Sequence, residues 1–97
     1  MENLWTWGGS YFGYKEGNAL WDKHGKHVGM FHGNEIYDSA GKYIGELMNG
    51  RLIYSWQKSN LRGRAFNPYL SKVASVSQGN YVGYVMYVGY EDFKYPR

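Results

Sequence analysis

Residues 25–47 read GKHVGMFHGNEIYDSAGKYIGEL, and the phrase Gly25-Lys26-His27-Val28-Gly29 returns sixteen residues later as Gly41-Lys42-Tyr43-Ile44-Gly45. A fixed internal period marks a repeated supersecondary unit, so the period is followed outward in both directions. With Trp21 as anchor, Trp5 lies sixteen residues before it, Tyr37 sixteen after, and Tyr54 a further seventeen on. Leu4, Leu20, Ile36 and Ile53 precede the four anchors. Gly9, Gly25 and Gly41 follow the first three by four residues, and Gly13, Gly29 and Gly45 follow by eight. Four copies therefore run from Trp5 to about Phe66. The fourth is worn: Lys58 stands where the turn glycine would be, and Leu61-Arg62 replaces the Ile-Gly pair.

The unit has the chemistry of a β-hairpin. Ile36-Tyr37-Asp38 is aliphatic, aromatic, then turn-forming, and Ser39-Ala40-Gly41-Lys42 places glycine where a positive φ is required. Tyr43 to Met48 is a second extended run, and Asn49-Gly50 is a strong hairpin signal. Asp22 and Asp38, equivalent in the repeat, are expected to cap the turn backbone. The expected fold is mainly β: one domain over residues 1–97, with four hairpin repeats in 1–66 and a segment, 67–97, packing on the repeats or on a neighbouring subunit. Glycine inside a strand needs a reason. At Gly13, Gly29 and Gly45 either strands converge or a ring lies over bare backbone, and the abundance of rings favours the second.

Composition sharpens this. Of 97 residues 43% are hydrophobic and 20% aromatic, with eleven tyrosines, four tryptophans and four phenylalanines. A chain this short needs large rings to build a core. Fourteen glycines sit among aromatic and β-branched residues, which argues against disorder. Cysteine is absent, so disulfides, thiolate catalysis and cysteine–zinc sites are excluded. No apolar run is long enough for a membrane helix, and Gly25-x-x-x-Gly29-x-x-x-Gly33 is a by-product of the repeat. The start MENLWTWGG has no basic region followed by an apolar one, so a cytoplasmic protein is expected.

The strings GKHVGMFHGNEIYDSAGKYIGELMNGRLI and YVGYVMYVGYEDF resemble the bacterial four-fold beta-flower domain, whose repeats look like iYd..Gk.iG.f..G. The resemblance implies a hairpin-repeat fold. It implies no catalytic residues.

Beyond the repeats the texture changes. Asn67-Pro68 is a helix-start signal, Tyr69, Leu70, Val73 and Val76 form a partial helical stripe, and Gly79 is a plausible stop, so a short helix is expected. Residues 81–90, YVGYVMYVGY, read as strand by propensity, although a tyrosine every third residue also permits a helix. As a strand it would need cover, from its own repeats or from another copy.

No catalytic constellation emerges. His24, His27 and His32 align in the repeat with Ala40, Tyr43 and Met48, and His27 and His32 fall on opposite strand faces, so no metal or cofactor site is assigned. Gly41-Lys42 lacks the phosphate-loop spacing, and no serine sits in a nucleophile elbow. A non-enzymatic module that self-associates through aromatic surface is the first functional expectation, with a homo-oligomer or a protein partner and no membrane. The second is nucleic-acid binding, since residues 51–72 carry basic side chains and no acidic one. Trp7, Trp56, Arg51, Arg62, Arg64 and Lys72 are the candidate contact residues. Trp5, Trp21, Tyr37, Tyr54 and the six repeat glycines are expected to be structural.

Overall fold

A computed structural model describes all 97 residues. Seven strands follow one another by hairpin connections: β1 Glu2–Thr6, β2 Tyr11–Glu16, β3 Ala19–Asp22, β4 His27–His32, β5 Glu35–Tyr37, β6 Tyr43–Met48 and β7 Arg51–Ser55. Consecutive strands pair antiparallel, and β1 meets β7 in parallel at Trp5–Arg51 and Thr6–Leu52, which closes the sheet on itself. A short 3-10 turn, Trp56–Lys58, follows, and β8, Tyr90–Asp92, joins the outer edge of β7 opposite Ile53–Ser55. The last strand and β1 thus share one edge of β7 end to end.

The mainly β, four-fold hairpin reading holds. The first strands of units one to three carry a bulge at the same place, between Leu4 and Trp5, Leu20 and Trp21, Ile36 and Tyr37. Bulges sharpen twist, which a small closed sheet needs. Each connection at the far ends has a glycine at positive φ, Gly17 at 58°, Gly33 at 62° and Gly50 at 76°, and the last adds Asn49 at 50°. The turn aspartates act as their position predicts: Asp22 Oδ1 accepts from the amides of His24 and Lys26, and Asp38 Oδ1 from those of Ala40 and Lys42.

The fourth unit differs from expectation. Its second strand is not residues 58–66. Lys58 lies in the 3-10 turn, Arg62 makes a single bridge to Lys42, and the strand that completes the hairpin comes from the far end of the chain. Register also reassigns the aliphatic position. Lys15 pairs with Leu20, Phe31 with Ile36 and Leu47 with Leu52, so Leu52 and not Ile53 continues the series Leu4, Leu20, Ile36. The seventeenth residue of that step is absorbed between Leu52 and Tyr54.

Inside the closed sheet Leu4, Leu20, Val28, Phe31, Ile36, Ile44, Leu52 and Phe93 form one apolar cluster. Burying each such side chain stabilises by about 1.5–3 kcal/mol. The strand glycines are explained chiefly by the first of the two alternatives. A Cβ at Gly13 would run into the backbone carbonyl of Trp21; at Gly29 and Gly45 the carbonyls of Tyr37 and Ile53, again sixteen apart, crowd the same place, with the Ile36 side chain and the Phe93 ring nearer still. Only Gly45 also faces a ring, that of Phe93.

The C-terminal segment supplies one short strand, β8, and no helix. Residues 63–86 contain no helix and no strand. The helical reading of Tyr69 to Gly79 and the strand reading of 81–90 are both overturned, apart from Tyr90 at the start of β8.

Candidate functional site

The long segment between the 3-10 turn and β8 is a strap around the outside of the sheet. It passes the turns of units three, two and one in that order. Gly63, Lys72 and Tyr81, nine residues apart, donate amide hydrogen bonds to the carbonyls of Gly41, Gly25 and Gly9 at 2.7, 2.8 and 2.8 Å. Phe66, Ser75 and Tyr84 donate to Ser39, Lys23 and Trp7 at 3.0, 3.1 and 3.0 Å. A nine-residue step on the strap is matched to a sixteen-residue step on the repeat. The turn glycines therefore have a second task beyond their positive φ of 94, 88 and 87°. A Cβ on any of them would strike the strap backbone at Tyr81, Lys72 or Gly63.

The anchor rings lie under this strap. Tyr81 packs on Trp5 with centroids 4.6 Å apart, and Tyr69 stacks near-parallel to Trp21 at 6.1 Å. The Lys72 ammonium lies 4.3 Å from the Trp21 centroid, and the bare Cα of Gly63 faces the ring of Tyr37. Tyr54 is covered by the Arg97 guanidinium, 3.3 Å from its centroid, with Arg97 also paired to Glu91. Ring-on-ring contacts of this kind add about 0.5–1.5 kcal/mol beyond burial.

The strap decides the fate of the candidate contact residues. Trp7 is 1% exposed; its indole donates to the carbonyl of Val85, and Tyr84 and Tyr87 pack on it. Arg51 is also buried, donating to the carbonyls of Trp7 and Val82 with its guanidinium 4.0 Å from the Tyr84 centroid. Neither faces a partner, which corrects the expectation for both. The strap's C=O groups need donors on the sheet, and these two side chains supply them to Val85 and Val82. Lys72 pairs with Glu16, which raises the ammonium pKa and lowers that of the carboxylate. Trp56 remains exposed beside Tyr54.

Lys58, part of the same basic run, bonds Glu46 at 2.9 Å and Glu35 at 3.0 Å, and these contacts hold its pKa above the usual lysine value. Glu46 is buried and also accepts from the Tyr43 hydroxyl, which in turn accepts from the amide of Ser55. Burial is the main reason the Tyr43 pKa rises. Of the basic residues between 51 and 72, Lys58 and Lys72 pair with carboxylates and Arg51 is held by buried carbonyls, which leaves Arg62 and Arg64 exposed without an ion pair.

The three histidines are not brought together as a ligand set, and no cluster of three or more histidine, aspartate or glutamate side chains is present. His24 and His32 are exposed, and His27 is buried. The His27 Nδ1 accepts from the amide of Tyr69 at 3.0 Å, which leaves Nε2–H to donate to the carbonyl of Gly29 at 3.0 Å. Burial lowers its pKa, and the Gly29 contact opposes this in part. Its imidazole is a neutral rivet between sheet and strap.

Two features were missed in the sequence. One is a cavity of about 690 Å³ between β4, β5 and the strap, lined by Met30, His32, Tyr37, Arg62, Arg64 and Phe66 among others. The other is the outward side of the strap. Leu70, Val73, Val76, Val82, Val85 and Val88 stand out into solvent, each at least 81% exposed and each a multiple of three residues from the next. Gly79 fills the one missing step. A three-residue period belongs to an extended chain with three residues per turn and not to an α-helix.

No family model matches the chain, and no curated protein or solved structure matches it. No helix is long and apolar enough to cross a membrane.

Proposed function

We propose that this protein is a non-enzymatic interaction module that associates with further copies of itself. The observation that carries the reading is the file of aliphatic side chains along the strap. Six of them expose roughly 600 Å² of apolar surface, taking about 100 Å² per side chain from the burial coefficient and the per-residue energies. That extent lies at the top of the range of about 300–600 Å² for the largest apolar patch on a monomer, and such patches are often functional. They approach the ~800 Å² that each partner contributes to a standard interface, and the half-exposed Tyr81, Tyr84 and Tyr87 beside the file enlarge it. A second copy presenting the same file is the partner whose surface is complementary by symmetry. The polar groups with fixed partners are committed to architecture: buried His27 holds the strap, buried Glu46 is held by Tyr43 and Lys58, and the part-exposed Asp22 and Asp38 cap turns. This supports a scaffold without chemistry of its own. Membership of the four-fold beta-flower proteins, with a cytoplasmic location, belongs to the same proposal and is supported by the four-fold alternation of aliphatic and aromatic positions.

Sedimentation velocity tests the reading. The wild-type chain is expected to self-associate at micromolar concentration, and Val82→Lys/Val85→Lys/Val88→Lys to sediment as a monomer with an unchanged melting temperature. A wild-type protein that remains monomeric at ~1 mM, where contacts worth even about 4 kcal/mol would register, overturns it.

A further inference from the structure

We propose that the cavity between β4, β5 and the strap binds a nucleotide, with its phosphate on Arg62 and Arg64 and its base against Phe66 and Met30. The inference is independent of self-association through the valine file, which lies further along the strap.

Charge comes first. Within the basic run the strap and sheet have taken up Arg51, Lys58 and Lys72 in carbonyl or carboxylate contacts. Arg62 and Arg64 are left exposed, the former touching only the carbonyl of its neighbour Leu61. Both line the same cavity, with His32 beside them on β4. Two guanidinium forks and an imidazole are five-donor and ring-nitrogen partners suited to phosphate oxygens. Neither carboxylate near this wall pairs with the arginines: Asp38, next to Tyr37, caps its own turn through the amides of Ala40 and Lys42, and Glu35 is tied to Lys58 and to the Tyr37 hydroxyl.

Shape comes second. At about 690 Å³ the cavity is within the usual range of roughly 300–1,000 Å³ for small-ligand sites. Bare phosphate would leave most of that space wet. A neutral ring would leave both arginines unpaired. Phe66 and Met30 are each only partly buried, so they offer apolar surface that an inserted planar group can cover. Tyr37 serves as floor, because Gly63 already occupies a face of its ring. An anionic phosphate joined to a flat ring satisfies both walls at once. Such a group could arrive as free nucleotide or as a residue of a single strand, and the recognition chemistry is shared.

Amide-resolved NMR titration separates these cases. AMP is expected to shift the amides of residues 30–32, 37 and 62–66, while adenosine and inorganic phosphate each bind at least ~10-fold more weakly. Arg62→Gln/Arg64→Gln should weaken AMP by ~10-fold or more at unchanged melting temperature, and Arg62→Lys/Arg64→Lys should fall between, because charge is kept and the fork is lost. An adenosine oligoribonucleotide that binds the same residues no more tightly than AMP identifies free nucleotide as the source. Tighter, steeply salt-dependent binding that the glutamine pair abolishes identifies a strand. Absence of AMP-induced shifts, shifts elsewhere on the molecule, or indifference to the Arg62 and Arg64 substitutions would overturn the proposal.

Discussion

Replacing Gly25 by alanine separates the strap from the turn it crosses. Gly25 has φ of 88°, its carbonyl accepts from Lys72 at 2.8 Å, and a Cβ there would meet the Lys72 carbonyl. Gly33, at the opposite end of the same hairpin strand, has φ of 62° and open space where a methyl group would stand. Both substitutions incur the left-handed backbone penalty of about 1–2 kcal/mol. Gly25→Ala must also displace the strap locally. That forfeits the Lys72–Gly25 and Ser75–Lys23 hydrogen bonds at about 1 kcal/mol each, and the Tyr69 cover on Trp21 at about 0.5–1.5 kcal/mol. The expected losses are about 3.5–5.5 kcal/mol for Gly25→Ala and about 1–2 kcal/mol for Gly33→Ala. Urea unfolding followed by tryptophan fluorescence reads the difference, and limited proteolysis between residues 69 and 79 should accelerate only in Gly25→Ala. Equal stability of the two variants, with equal resistance to protease, would refute the assignment of a clasping role to the turn glycines.

Two further outcomes follow from the packing and the rivet. Phe93→Ala removes the ring that meets Phe12 edge-on at 5.0 Å and fills the core above Gly45, so it should cost about 3–5 kcal/mol and free β8 from β7; a loss under about 1 kcal/mol in denaturant unfolding would contradict the closed core. His27 has a folded pKa below its unfolded value of 6.5, so the unfolded chain binds more protons as the pH falls below 6.5, and stability should decline from there down to the folded value. Above 6.5 the contribution is level. Urea midpoints measured across this window should show a weaker acid dependence in His27→Gln than in wild type, and identical profiles would count against the rivet.

The repeat was legible because its spacing is rigid. The bulge, the turn aspartates and the glycines each recur every sixteen residues, and each is required by backbone geometry that allows few alternatives. The fourth hairpin was not legible. Leu61-Arg62 occupies the expected place in sequence, but the position opposite Ile53–Ser55 is won by Tyr90–Asp92, whose neighbour Phe93 fills the core. Local order along a chain does not disclose such a long-range exchange. The strap was misread for a more instructive reason. Leu70, Val73 and Val76 fit one face of a helix over two turns, yet every three-residue step falls about 60° short of a full α-helical circuit. Continued through Val82, Val85 and Val88, the same spacing would scatter side chains all round a helix, so the strict triplet was already a sign of extended chain. At the candidate site Arg62 and Arg64 stood out as charge. His32, Phe66 and Met30 did not, because only the strap's path brings them beside the arginines. Trp7 and Arg51 looked like contact residues for want of that same path.

Residue-resolved amide exchange on the native protein tests the strap most directly. Seven strap amides that cross to the sheet, those of Gly63, Phe66, Tyr69, Lys72, Ser75, Tyr81 and Tyr84, should be protected, while those of Leu70, Val73, Val76, Val82 and Val85 between them exchange freely. Continuous protection from Tyr69 to Gly79, as in a helix, or uniformly fast exchange from Gly63 to Tyr84, would contradict a chain held to the hairpins at separated amides three or six residues apart.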